Sequence, residues 1–306
     1  MNHVADDTQP HLVPVLEVGG THVTAAWAGD DGHVEVVDTR PLDNAAPADD
    51  IVAVLVASGR TLDAPAGTVW GAAVPGPFDY EGGIGDYTGV EKFWSLRGFD
   101  LGAVLRAGLA AARVHFINDA DAFGVGEAMA GGLQGRRRGV GITLGTGIGS
   151  AFVADGMPIT SGDEVPRLGE IHTAKLDGVP VEQLFSRVAI REAHRDRTGE
   201  WLEVKDIADL ARQGDPVAVD VLDQAYASLA RALVPVLQRF GAEALVVGGS
   251  ISKSSDLLAR FFTCRLDGAG PDGGPIPVAL ADDPARSALV GVAHWVRVRE
   301  AQITAT

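Results

Sequence analysis

The chain uses one pattern twice, and that pattern limits the folds open to it. An apolar run, Leu12 to Val18, ends at Gly19-Gly20 and resumes as a small-residue run, Val23 to Ala28. This turns at Gly29-Asp30-Asp31-Gly32 into an alternating stretch, His33 to Val37. Further along, Val140 to Leu144 leads into Gly145-Thr146-Gly147-Ile148-Gly149, then Ser150 to Ala154, then Asp155-Gly156 and Met157-Pro158-Ile159. Both read as strand, glycine turn, strand, Asp/Gly turn, strand. The similarity is too weak and too widely spaced for a solenoid. Two lobes built on one theme are expected, each offering a glycine hairpin to the space between them. The length of 306 residues agrees, because single cores stop growing at roughly 250–300 residues.

Between and after the hairpins the periodicity alternates. Asp50 to Ser58 reads as a helix, Thr68 to Val74 as a buried strand stopped by Pro75-Gly76-Pro77, and Val114 to Ile117 as a short strand before a helix from Ala120 to Ala130. The second half is more helical. Asp215-Pro216 is an N-cap and first-turn pair, opening a helix to Phe240 with a kink expected at Pro235 and a stop at Gly241. Val246-Val247 is a short strand ending at Gly248-Gly249-Ser250, followed by a helix from Ser252 or Ser255 to Phe262 and a last one from Pro284 to about Val298.

Charge and cysteine usage exclude several classes. Acidic residues number 41 against 25 basic ones, a formal net charge of −16, so a nucleic-acid partner is not expected. Arg136-Arg137-Arg138 is the one basic cluster and reads as a solvated turn before the next strand. Cys264 is the single cysteine, which rules out an intrachain disulfide and a cysteine-rich zinc site. Met1 to Gln9 lack the apolar core of a secretory signal, and no apolar stretch approaches the roughly 20 residues of a membrane span. A cytoplasmic protein is the expectation.

Three glycine turns directly follow apolar strands: Gly19-Gly20-Thr21, Gly145-Thr146-Gly147 and Gly248-Gly249-Ser250. Glycine lets backbone N–H groups approach phosphate oxygens, and a neighbouring hydroxyl adds a hydrogen bond. Each alone is commonly just a tight turn; together they point to nucleotide binding. A P-loop is absent, and Gly145 to Ser150 departs from the dinucleotide fingerprint at its third glycine and precedes a strand, so a dehydrogenase is disfavoured.

Asn118-Asp119 closes a strand and opens a helix, where it either only caps that helix or supplies a carboxylate to take a proton from an attacking hydroxyl. Glu170 and His172, two apart on a segment read as extended, point the same way and either grip adjacent sugar hydroxyls or form a surface ion pair. Glu17 beside Gly19 is either a structural acid or a hard oxygen ligand for Mg²⁺.

These segments together resemble the ROK family of sugar kinases, in the actin-like/hexokinase superfamily. Leu16-Glu17-Val18-Gly19-Gly20-Thr21-His22 resembles its first phosphate motif, D-x-G-G-T-K, and Ala73-Val74-Pro75-Gly76-Pro77-Phe78-Asp79 its G-x-P-G-P-x-D loop. Asn118-Asp119-Ala120-Asp121-Ala122 with Glu127 resembles the segment of the catalytic base, and Leu144 to Gly149 the second phosphate loop. Gly169-Glu170-Ile171-His172 resembles the sugar-binding G-E-x-G-H, and Val246 to Ser250 the adenosine motif. The resemblance covers nearly the whole chain.

It implies an α/β fold of two actin-like (ribonuclease H-like) lobes with an interlobe cleft, residues 1–117 plus a C-terminal helix at 291–306 forming the smaller and 118–290 the larger. It implies an ATP-dependent kinase acting on a hydroxyl of a hexose, amino sugar or cyclitol, with lobe closure on substrate. Asp119 would be the base, and Asn118, Glu170, His172 and Gly76 would bind substrate. The phosphates would lie on Gly19, Gly20, Thr21, Gly145, Thr146 and Gly147, the adenosine on Gly248, Gly249 and Ser250, and Mg²⁺ on Glu17. A homodimer is compatible with the resemblance. A catalytically silent sugar sensor is the alternative, since some relatives are repressors; those carry an N-terminal helix-turn-helix, for which the residues before Leu12 leave little room.

Three departures matter, and they alter the substrate end while the phosphate end is largely kept. Glu17 stands for Asp and His22 for Lys, His172 follows Glu170 by two residues instead of three, and the family's zinc knuckle is missing, so no zinc site is expected. Glu182 is a candidate for the substrate contact that the knuckle region normally helps supply. Lys92, Trp94 and Arg97 are candidates for walls or a lid, or else ordinary packing and surface residues.

Overall fold

The computed structural model describes residues 12–145, 147–249 and 254–305. In chain order the elements are β1 (Val13–Val18), β2 (His22–Ala28), β3 (Val34–Pro41), α1 (Ala48–Gly59), β4 (Val69–Val74), β5 (Phe78–Asp79), β6 (Ile84–Gly85), α2 (Leu101–Gly108), β7 (Arg113–Asn118) and α3 (Asp119–Ala130). There follow β8 (Arg138–Leu144), β9 (Ile148–Ala154), β10 (Met157–Pro158), β11 (Lys175–Leu176), β12 (Val179–Pro180), α4 (Val181–Leu184), α5 (Arg187–Thr198), α6 (Val204–Arg212) and α7 (Pro216–Phe240). The chain ends with β13 (Ala244–Gly248), α8 (Ser255–Phe261), β14 (Val278–Leu280) and α9 (Pro284–Thr304). Two compact units result, one from the chain up to Ala130 together with Ala285 onward, the other from Gly131–Pro284.

In the first unit the sheet order is β3-β2-β1-β4-β7. The β1–β2–β3 meander is antiparallel, while β1, β4 and β7 run parallel, with Glu17 level with Ala73 and Val74 level with Asn118. The three parallel strands therefore end on one edge, where ligands of open α/β sheets bind. Strand alternation sorts the core. Leu16, Val18, Ala72, Val74 and Phe116 pack with Ile51 and Leu55 of α1 and Leu101 and Leu105 of α2. Val15, Ala73 and Ile117 pack on the other face with Ala122 of α3 and Leu289 and Val292 of α9.

Helices α3 and α9 meet backbone to backbone. A methyl group on Gly126 would overlap the Ser287 carbonyl, and one on Gly291 the Ala122 carbonyl. The buried Glu127 accepts a 2.6 Å hydrogen bond from the Ser287 hydroxyl beside this contact.

The second unit repeats the plan in the order β10-β9-β8-β13-β14, again an antiparallel meander joined to parallel strands. The repeated sequence pattern is thus a repeated sheet. Its core joins Val140, Ile142, Leu144 and Phe152 to the apolar face of α7. Asp215 caps α7, its side chain accepting from the Ala218 N–H at 2.8 Å, and Gly241 closes it at φ 70°. The helix is continuous through Pro235.

Several expectations are revised. Helix α1 starts at Ala48 and α9 runs to Thr304, while α8 starts at Ser255, one of its two expected starts. Arg138 is no solvated turn residue: it opens β8, donates to the Phe240 carbonyl at 2.6 Å, lies 4.1 Å over the Phe240 ring and pairs with Glu164 at 2.8 Å. No helix among the described residues is long and apolar enough to cross a membrane.

The outer end of α9 is tied to β7 by charge. Glu300 accepts from Arg113 Nε at 2.8 Å and lies 2.7 Å from His115 Nε2. The Arg113 bonds, followed by the His115 contact, hold its carboxyl down at about 2 from an ordinary 4.5. A depressed carboxyl stabilises the fold above its unfolded value and loses that contribution as pH falls through the folded value. Glu300→Gln should lower unfolding free energy by about 1 kcal/mol near neutrality, the site being partly exposed. The two proteins should converge in urea titrations as pH drops from about 5 toward about 2. A difference that persists at the acid end would contradict this.

Candidate active site

Asp119 is the first residue of α3, immediately after β7. Asn118 provides the cap: its Oδ1 accepts from the Ala120 N–H at 2.9 Å and the Asp121 N–H at 3.2 Å. Asp119 Oδ1 also accepts from the Ala120 N–H, at 2.9 Å. So the capping role falls to Asn118, and Asp119 is held with one oxygen at the helix start. Burial drives its carboxyl above the ordinary value, against the pull of the Ala120 N–H and the charge of Lys92.

Glu17 lies on the same side of the sheet, since Val15 and Glu17 share a strand face that packs toward α3 and α9. Burial, then the nearby charge of Asp119, raise its carboxyl to about 7. Its Oε2 is buried without a hydrogen-bond partner, 3.6 Å from His22 Nε2. Among the described residues no group of three or more His, Cys, Asp or Glu side chains could hold a metal ion. A magnesium site that uses one protein carboxylate and completes itself with phosphate and water oxygens matches this donor set, and the orphaned Oε2 is the atom it would use.

Beside Asp119 stands an aromatic wall. Phe78 contacts Tyr80, Tyr87 and Phe116 with ring centroids 5.3, 6.3 and 5.1 Å apart. The Tyr80 hydroxyl accepts from Asn118 Nδ2 at 2.9 Å and reaches the Val74 carbonyl at 3.3 Å. Gly76 lies in the loop after β4, at a cis peptide bond to Pro77 whose carbonyl accepts from the Tyr87 N–H at 2.9 Å. The Gly19-Gly20-Thr21 turn is closed by a 2.9 Å bond from the Gly19 N–H to the His22 carbonyl, and the Asn44 side chain donates to the Gly20 carbonyl.

The second unit carries the other predicted residues. Gly145 and Gly147 form the turn after β8, joined by a 3.1 Å backbone bond; Thr146 and Ser250 lie outside the described residues. Gly248 ends β13, and Gly249 must be glycine: its φ is +88° and a Cβ would overlap the Leu144 backbone. A cavity of about 520 Å³ opens at Gly145, walled by Ile190, Leu222, Tyr226 and Leu257, with Arg187 and Arg212 among its charged lining. Such a chamber, apolar within and adjoining a glycine turn, can take a flat base with its phosphates outward.

Glu170 and His172 do not sit on an extended strand. Ile171–Thr173 is a single 3₁₀ turn, because Ser150 pins it, donating to the Gly169 carbonyl at 2.6 Å and accepting from the Ile171 N–H at 2.8 Å. Ile171 is buried, and the flanking side chains are left partly exposed with 3.8 Å between His172 Nε2 and Glu170 Oε2. They come together by a route other than strand alternation. Glu182 packs over Gly147, where its Oε1 takes the space of a side chain.

The sequence model of the ROK family matches residues 14–297. The chain belongs to the ROK family. It is 27% identical over 268 residues to a glucokinase of Thermotoga maritima, covering 79% of this chain and 83% of that protein. It is 29% identical over 209 residues to an N-acetyl-D-glucosamine kinase of Haemophilus influenzae, covering 61% of this chain and 66% of that one. The structure of a ROK family glucokinase from Streptomyces griseus, in complex with glucose and AMPPNP, superposes with a TM-score of 0.72 at 23% identity, covering 94% of this chain and 99% of that chain. The fold is that of the actin-like ROK sugar kinases.

Tyr80, Tyr87 and Asn44 escaped sequence reasoning. Each reaches the ROK motifs only through the fold; the aromatic run around Phe78 was the one available hint. Tyr80→Phe should cost about 1–2 kcal/mol in a denaturant titration, because the Asn118 amide loses a largely buried partner. An unchanged midpoint would mean that this hydroxyl does not hold Asn118.

Proposed function

We propose that this chain moves the terminal phosphoryl group of ATP to a hydroxyl of a hexose, an amino sugar or a cyclitol, with Asp119 as general base. The chain is an ATP-dependent carbohydrate kinase of the ROK family, and its relatives include proteins named glucokinase and N-acetyl-D-glucosamine kinase. The proposal concerns the acceptor and the residues that serve it. The observation that carries it is the placement of Asp119: a carboxylate at the end of a parallel strand, half-buried, with its affinity for a proton raised by burial.

In this reading Oδ1 stays on the Ala120 N–H and Oδ2 takes the proton of the acceptor hydroxyl as it attacks. A carboxyl whose affinity for a proton is raised by burial accepts that proton more readily than an exposed one. Asn118 keeps one amide N–H on Tyr80 and has a second to offer substrate. Glu170 and His172 bind neighbouring hydroxyls, one accepting and one able to donate. Gly76 lets the acceptor approach the backbone. The base of the nucleotide occupies the cavity at Gly145, and the glycine turns at Gly19, Gly145 and Gly248 receive its phosphates and adenosine. Glu17 would hold Mg²⁺, which when bound neutralises charge on the phosphate oxygens. The protein's contribution is then mainly positioning.

A coupled assay of ADP release with Mg²⁺-ATP and a panel of hexoses, amino sugars and cyclitols tests the acceptor class. Turnover on one class names it. Tight sugar binding by calorimetry with no ADP release on any of them would favour the silent sensor. Asp119→Asn should fold normally and turn over about 10²–10⁴-fold more slowly. Near wild-type turnover by this variant would sink the assignment of the base.

A further inference from the structure

The mechanism above gathers negative charge at the first glycine turn, of which the Mg²⁺ that Glu17 would hold offsets only part. Glu17 near the end of β1 and Asp119 at the start of α3 put two carboxyl groups at the strand ends of this sheet, and the phosphoryl group under transfer brings more negative charge there. In a partly desolvated site such crowding is unfavourable without a cation aimed at the reacting group. His22, the residue after the turn, is turned toward Glu17 at 3.6 Å and exchanges a 3.4 Å contact with the Thr21 hydroxyl.

Lys92 stands where a cation is needed. Its Nζ lies 3.7 Å from the position a Cβ on Gly20 would take, so the ammonium sits directly over the turn. Its charge also reaches Asp119. The segment that carries this exposed lysine is held in place. Phe93, the next residue, is buried to 1% exposure, packs 5.6 Å from the Tyr87 ring and adopts a left-handed backbone at φ 57°, which a bulky residue keeps only when its surroundings over-determine it. Its N–H donates to the Asn44 carbonyl at 2.8 Å, and the Ser95 hydroxyl donates to the Ala46 carbonyl at 2.7 Å. The Asn44 side chain donates to the Gly20 carbonyl. One residue therefore grips both the glycine turn and the segment that carries the lysine.

We propose that Lys92 is the cation that contacts the phosphoryl group being transferred, and that Asn44 is the positioning residue holding it over the first glycine turn. This rests on the kinase reading. The chemistry is that of a compact ammonium with three donors, which suits a terminal phosphate whose oxygens change direction as it moves. Because the same ammonium faces Asp119, the group that would deprotonate the acceptor, it meets the terminal phosphate and not those left behind on ADP.

The test compares nucleotides by calorimetry in the presence of Mg²⁺. Lys92→Met should weaken ATP binding roughly 10-fold or more while leaving ADP within about 3-fold, and lower kcat by roughly 10²-fold. Lys92→Arg should recover ATP affinity but not full turnover, since a planar guanidinium replaces a point charge. Asn44→Ala should lower kcat while leaving sugar KM within about 2-fold, which separates positioning from substrate binding. Equal losses for ATP and ADP, or no loss, would overturn the assignment of Lys92. A wild-type protein that releases no ADP with any sugar removes the kinase reading, and the ATP-against-ADP comparison still decides the lysine. A wild-type protein that binds neither nucleotide overturns both.

Discussion

The contact between α3 and α9 is made without side chains between the backbones, and the position of Asp119 depends on it. Gly126 faces the Ser287 carbonyl and Gly291 the Ala122 carbonyl, so α3 cannot slide or roll without overlap. Interiors packed to this density transmit displacement instead of absorbing it. At the other end Asn118 caps the helix, and β7 is locked in parallel register with β4 from Val69–Arg113 to Val74–Asn118. The carboxylate at the first helical position is therefore placed by a sheet, a cap and a helix crossing, none of which involves a substrate.

That rigidity is what allows two acids to remain buried near each other. Each resists ionisation because burial removes water from the charged form, and Glu17 resists it further because Asp119 is close. In a looser site the pair would separate or draw in solvent. Here the strand alternation that sends Leu16 to one core sends Glu17 toward α3. Desolvated acids of this kind gather at functional sites, because a group that is costly to bury is retained where its chemistry is used.

Much of this was legible from residues alone, and the parts that were not share a cause. The glycine turns, the Asn118-Asp119 junction and the doubled hairpin are local signals: apolar periodicity broken by residues with special backbone freedom. The doubled plan returns as two sheets of matching order, which the sequence alone did not state. Glu170 and His172 were read as a strand pair, but Ser150 reaches across from β9 and bends that segment into a helical turn. Arg138 looked like one of three solvated arginines, yet the Phe240 ring and carbonyl give it a seat that only the folded α7 provides. Tyr80 and Asn44 touch the motifs from positions distant in sequence. Strand β14 spans three residues, Val278–Leu280, too few to show a period. In each case tertiary contact decided what local pattern left open.

The departures at the first phosphate motif also become one feature instead of two. Against the pattern D-x-G-G-T-K that the chain resembles, Glu17 is longer by a methylene and His22 is shorter than lysine. The two face each other at 3.6 Å, so the lengthened acid and the shortened base still span the turn. What the exchange removes is the lysine ammonium on its long, flexible stem. The turn is closed on His22 by the Gly19 N–H and has no lysine of its own. A lysine anchored over Gly20 through Asn44 restores that charge from a different part of the chain, and does so on the side of the turn that also faces Asp119.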